Sequence, residues 1–101
     1  MAKTRLTFQQ FLKTKTARVY FQPDTNIKLT YPCIVYSKTR LDSMFADDKI
    51  HKLNHGYKVI YITRDPDDAL IDELVSIPYV RFQRQYNVNG LYHNEYIIYW
   101  N

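Results

Sequence analysis

Tyr57-Lys58-Val59-Ile60-Tyr61-Ile62-Thr63-Arg64-Asp65-Pro66-Asp67-Asp68-Ala69-Leu70-Ile71-Asp72-Glu73-Leu74-Val75 is where the chain changes from one backbone period to another. Its first seven residues are β-branched or aromatic with one lysine, a composition that fits a pleated strand. Asp65-Pro66-Asp67-Asp68 then reads as a helix start, with Asp65 as N-cap, Pro66 at the first helical position and two further acids against the positive end of the helix dipole. Leu70, Ile71, Leu74 and Val75 recur at helical spacing and form the stripe expected to be buried. Pro78 prevents continuation. A strand feeding directly into a short amphipathic helix is the unit around which the rest is arranged.

Downstream, Tyr79 to Val88 and Leu91 to Trp100 flank Asn89-Gly90, a pair that readily supplies the two left-handed residues of a tight hairpin turn. Upstream, Cys33 to Thr39 reads as a strand, and Arg18-Val19-Tyr20-Phe21-Gln22 as a shorter one stopped by Pro23 and Asp24. The first element is a helix: Thr7 and Gln10 have capping-box spacing, Leu6 and Phe11 occupy the staple positions, and Phe8, Phe11 and Leu12 share a face. Arg40 to Gly56 is too long for a tight turn and carries Met44 and Phe45 among charged residues, which reads as an arm offered to a partner or tucked under the domain. The order is α-β-β-arm-β-α-β-β. It describes a single α+β domain, residues 1–101, with a small, mostly antiparallel sheet of about four to five strands and two helices packed on one face.

Composition narrows the chemistry. The chain has 101 residues, 14 Lys+Arg against 10 Asp+Glu, 2 Gly, 1 Cys, and 16% aromatic residues, among them 10 Tyr. Gly56 and Gly90 cannot build a glycine-rich phosphate loop. One cysteine, Cys33, forms no internal disulfide, and its setting reads as a strand residue acting as a small hydrophobe. A mean hydropathy of −0.46 and the absence of a long apolar run give the expectation of a soluble chain, made in the cytoplasm, with no membrane association.

His51 and His55 have a spacing that suits zinc on a helix, but they fall in a loop-like stretch with no second pair of soft ligands, so no metal is expected. Cys33 with His51, His55 or His93 has the ingredients of a nucleophilic dyad, yet reactive thiols sit at helix N-termini or in electropositive clefts and not inside strands. Asp65, Asp67 and Asp68 are explained by capping. The expectation is therefore no enzyme and no cofactor. Tyr79-Val80-Arg81-Phe82-Gln83-Arg84-Gln85-Tyr86 interleaves aromatics with arginines, as single-stranded nucleic-acid platforms do. Simple alternation, however, separates Arg81 (with Tyr79, Gln83 and Gln85) from Arg84 (with Val80, Phe82 and Tyr86). The basic residues Lys3, Arg5, Lys13, Lys15 and Arg18 gather only at the N-terminal end.

The tyrosines point elsewhere. Tyr57, Val59 and Tyr61 alternate with Lys58, Ile60 and Ile62, while Tyr92, Asn94, Tyr96, Ile98 and Trp100 alternate with Leu91, His93, Glu95, Ile97 and Tyr99. Neither strand has the polar face of a sheet with one side in water. Two short helices cover one side only, so the other is expected to present Tyr, Trp and Arg, residue types enriched at interfaces.

Tyr31-Pro32-Cys33-Ile34-Val35-Tyr36, Tyr57 to Asp67, Ile77-Pro78-Tyr79, Gly90-Leu91-Tyr92-His93 and Tyr99-Trp100 together resemble, in order and flavour, the small tail-completion proteins of tailed bacteriophages, including the tail terminators. The likeness spans roughly Val19 to Trp100. It implies a structural virion protein at the head–tail neck, a homo-oligomeric, hexameric ring that caps the tail-tube protein and docks the head connector, with DNA passing through its lumen unrecognised. The alternatives are another neck component (head-closure or head–tail joining) and a small single-stranded nucleic-acid-binding module. Met44 and Phe45 on the arm, with Arg81, Arg84, Tyr92 and Tyr96, are the expected interface residues.

Overall fold

Strand β3, Lys49–Thr63, runs through the middle of a five-stranded sheet of order β1-β2-β3-β5-β4. The other strands are β1 (Val19–Phe21), β2 (Cys33–Ala46), β4 (Val80–Val88) and β5 (Leu91–Tyr99). The computed structural model describes residues 5–24, 26–46 and 49–100, with the side chains of 40–55 outside that description. Helices α1 (Arg5–Lys13) and α2 (Ala69–Val75) complete an α+β fold. β1 pairs parallel to β2; every other pairing is antiparallel.

Both helices lie on the same face. Register sets Val19, Phe21, Ile34, Tyr36, Tyr57, Val59, Tyr61, Tyr96 and Ile98 on that side, where most join one core with Phe8 and Leu12 of α1 and Leu70 and Leu74 of α2. Phe8 stacks on Tyr57 with ring centroids 4.6 Å apart and meets Tyr36 edge-on at 5.5 Å. Three buried tyrosines donate their hydroxyls to acceptors. Tyr36 donates to Gln9 Oε1 at 2.7 Å, Tyr61 to Asp68 Oδ2 at 2.8 Å and Tyr96 to the Ile71 carbonyl at 2.9 Å. A small core thus accommodates large amphipathic rings, because the polar tips of Tyr36, Tyr61 and Tyr96 meet acceptors at the helix–sheet boundary.

Several local expectations change. Helix α1 begins at Arg5, so Thr7 lies inside it and not at its cap; the Thr7 hydroxyl instead accepts the Trp100 indole N–H at 3.1 Å. Trp100 stacks on Phe11 and is therefore on the helix side of the sheet, not the bare one. The N-cap of α2 is Asp68, which accepts the Leu70 N–H at 2.9 Å. Asp65 closes the preceding turn, accepting the Asp67 N–H at 2.9 Å. Tertiary partners decide between the two acids: Asp68 also receives the Tyr61 and Thr63 hydroxyls from β3. Val75 is 47% exposed, and Ile77 beyond the helix takes its place in the core. The Asn89-Gly90 turn forms as the sequence predicts, with φ of 53° and 83° and the Gly90 N–H held by Asn87 Oδ1.

The arm is not a loop. Gly56 pairs with both Arg40 and Tyr99, and beyond it β2 and β3 continue as a two-stranded ribbon from Leu41↔His55 to Ala46↔Lys49. It leaves the sheet where the register shifts between Lys38 and Arg40. Six residues at about 3.3 Å each carry the ribbon roughly 20 Å, consistent with a long axis of 51 Å against 27 and 23 Å for the others. Met44 and Phe45 lie in this ribbon, in register with Lys52 and Ile50, and His51 and His55 on its opposite strand; the side chains of all four lie outside the described residues.

Candidate interaction surface on the bare face of the sheet

The side of the sheet away from the helices is built in rows. One row runs Tyr20, Val35, Ile60, Glu95, Arg84; a second runs Ser37, Lys58, Ile97, Arg81; a third runs Cys33, Ile62, His93, Tyr86. Each row has one isoleucine on the two central strands (Ile60, Ile97 and Ile62), and charged or aromatic residues hold the β4 edge.

A β-bulge makes this arrangement. Phe82 pairs with Tyr96 and Arg84 with Glu95, so Gln83 is an extra residue with no partner on β5. An extra residue reverses the alternation beyond it. Arg81, Arg84 and Tyr86 consequently share the bare face, whereas uninterrupted alternation would separate the two arginines. Gln85 is correspondingly turned to the helix side, where its amide donates to the Pro66 carbonyl and to Asn94 Oδ1.

Glu95 is the electrostatic centre. Its side chain is 5% exposed, with Arg84 Nε at 2.5 Å from Oε2 and Lys58 Nζ at 3.2 Å from Oε1. Burial pushes the Glu95 carboxyl up, but the hydrogen bonds and charges of Arg84 and Lys58 more than reverse this and hold it below the ordinary glutamate range. The guanidinium of Arg84 also lies 5.2 Å from the centre of the Tyr86 ring, which stacks on His93 at 4.9 Å. Arg81 borders a shallow hollow with Thr39, Gln83, Ile97 and Tyr99. Among the described residues, Lys58, Arg81 and Arg84 against the single carboxylate of Glu95 leave this face net positive.

The expected interface residues separate in space. Arg81 and Arg84 are exposed on the bare face. Tyr96 is fully buried in the core on the opposite side, its hydroxyl bound to α2, so it is not a surface contact. Tyr92 is half-buried and its row, with Thr63 and Asn87, also belongs to the helix side. Lys58 and Gln83 join the surface instead, beside the buried carboxylate of Glu95; strand alternation carried the signal for Lys58 and Glu95, but no sequence signal marks the bulge. Cys33 is fully buried, and burial pushes its thiol up to about 11, slightly offset by Arg18. His93 stands two strands away with Ile62 between them, about 10 Å by strand spacing, beyond hydrogen-bond reach.

The described residues thus form an α+β sheet with helices on one face, charged and aromatic residues on the other, and a two-stranded ribbon extending from it. In comparisons with protein-family models, curated proteins and solved structures, the chain matches none. No described helix is long and apolar enough to cross a membrane.

Proposed function

We infer that the chain is a structural assembly protein of the phage tail-completion class: a ring-forming tail terminator that caps the tail tube and joins it to the head connector, without turnover or cofactor. The observation carrying this reading is the sheet face away from the helices, where half-buried Val35, Ile60 and Ile97 lie beside Lys58, Arg81 and Arg84 with no helix over them, while Cys33 and Ile62 at one end of the face are buried. A five-stranded sheet with helices on one side leaves the other face without a helix layer, and half-buried aliphatic residues ringed by cations there are the make-up of a contact surface. The ribbon formed by β2 and β3 supplies a second element able to reach a neighbour. Native mass spectrometry with negative-stain imaging tests it: a closed ring is expected, alone or with tail-tube protein, and a persistent monomer under both conditions overturns it. Phe45→Asp is expected to abolish assembly with the fold intact.

A second reading is favoured by the bulge. Arg81, Arg84 and Tyr86 on one face are the ingredients of a single-strand platform, in which a base stacks on the tyrosine and phosphates meet the arginines. Glu95 offsets part of that charge. Titration with single-stranded DNA at two salt concentrations separates the readings, since binding through phosphates weakens steeply with salt.

A further inference from the structure

We propose that the bare face receives the α2 side of a second copy of this chain, front to back, and that this charge-matched contact is the lateral interface of the ring. The inference rests on the assembly reading above and adds the two surfaces that meet.

The chain's charge is unevenly divided. Five of its 10 acids, Asp65, Asp67, Asp68, Asp72 and Glu73, fall within nine residues, and Arg64 is the one basic residue between Lys58 and Arg81. Asp68 is consumed by the helix cap and by Tyr61 and Thr63. Asp65, Asp67, Asp72 and Glu73 are exposed. Leu70 and Leu74 anchor α2 on the sheet, so Asp72 and Glu73 are carried on its outer side; Glu73 also meets Lys15 at 3.6 Å.

The acidic and basic surfaces lie back to back across the same strands. The backbone of α2 is tied to β5 through Tyr96, whose hydroxyl reaches the Ile71 carbonyl. Glu95 and Ile97, the neighbours of Tyr96 in β5, face the other way and carry Arg84, Lys58 and Arg81 around them. A copy displaced along the sheet normal therefore brings its acids over these cations. The alternative face-to-face dimer sets Lys58, Arg81 and Arg84 against themselves, which like-charge repulsion disfavours. Front-to-back contact uses two different surfaces on each copy, so each added copy leaves one of each unused until rotation closes a ring. Opposed charge also fixes the direction in which copies add.

Charge-swap complementation tests the contact. One variant carries R81E and Q83E, the other D67K and D72K; none of these residues belongs to the Glu95 or Asp68 networks, and circular dichroism with thermal melting verifies the fold. Each variant alone is expected to need at least about tenfold more protein than wild type to assemble. An equimolar mixture is expected to recover the wild-type assembly as an alternating ring, because every junction then pairs opposite charges. If both variants assemble like wild type, or if the folded variants fail to complement, the interface assignment is overturned while the ring reading stands. If wild type stays monomeric alone and with tail-tube protein, the ring reading falls and this interface with it. Single-stranded DNA binding lost in R81E/Q83E with oligomeric state unchanged overturns the second copy in favour of nucleic acid.

Discussion

Replacing Asp68 by alanine is the sharpest probe of how the helix layer is fixed to the sheet. The carboxylate accepts the Leu70 N–H at 2.9 Å, the Tyr61 hydroxyl at 2.8 Å and the Thr63 hydroxyl at 3.1 Å. Loss of an N-cap costs about 1 kcal/mol. Tyr61 and Thr63 are each 3% exposed, so their hydroxyls, left without this acceptor, cost about 1 kcal/mol apiece at the low end for orphaned buried groups. The total is about 3 kcal/mol, a substantial part of the roughly 5–15 kcal/mol that stabilises a domain. For this chain length it corresponds to a fall in Tm of roughly 12–15 °C. Asp65→Ala removes one exposed turn contact, to the Asp67 N–H, and is expected to cost under about 0.5 kcal/mol, as surface changes do. Asp68→Asn keeps a capping oxygen and falls between the two. Urea unfolding of the three variants measures this order. Equal losses for Asp65→Ala and Asp68→Ala, or an Asp68→Ala loss below about 0.5 kcal/mol, would refute the assignment of Asp68 as the joint between α2 and β3.

Acid should destabilise the fold in a definite window. Burial raises the Asp68 carboxyl, but the bonds from the Leu70 N–H and the Tyr61 and Thr63 hydroxyls outweigh it; Glu95 is likewise held low by Arg84 and Lys58. Carboxyls held low in the folded state contribute stability that is fully present above their unfolded values, about 4, and lost as pH falls through the folded ones. Glu95→Gln should therefore flatten the pH dependence of urea midpoints below about pH 4; an unchanged slope contradicts the Glu95 network. The Cys33 thiol, fully buried and pushed up to about 11, should resist alkylation at pH 8 in the native state and react on unfolding, as read by mass spectrometry. Gly90→Ala should cost about 1 kcal/mol through its left-handed φ of +83° alone, since an added Cβ meets nothing within 4 Å. Deleting Gln83 should leave a regular ladder with Arg84 still opposite Glu95, so the fold and the basic face should both survive; loss of folding contradicts the bulge.

Local chemistry accounts for what was legible in the residues themselves. Asn89-Gly90 allows the left-handed turn, and aromatic and β-branched runs make strands wherever they fall. The α+β order and the single helix-covered face follow from such short-range preferences. Where two residues offered the same local chemistry, contacts from elsewhere in the chain chose between them. Local chemistry reads Asp65, ahead of Pro66, as the cap, but it is the Asp68 carboxylate that receives the Tyr61 and Thr63 hydroxyls as well as the helix N–H. Tyr92 and Tyr96 alternate identically on β5, yet Tyr96 fills the core beneath α2. The arm carried no strand signal strong enough to read, because pairing with a partner strand and not intrinsic preference makes it a ribbon.

The sequence by itself determined the kinds of element, their order, the tight turn and the surplus of aromatic and basic residues in β4 and β5. Only the tertiary structure decided which of those residues stand together. One unpaired residue, Gln83, reverses the alternation of β4, and a bulge is set by how two strands pair across the sheet and not by the residues of either strand alone. That reversal turns an apparently divided pair of arginines into one basic face, back to back with an acidic helix.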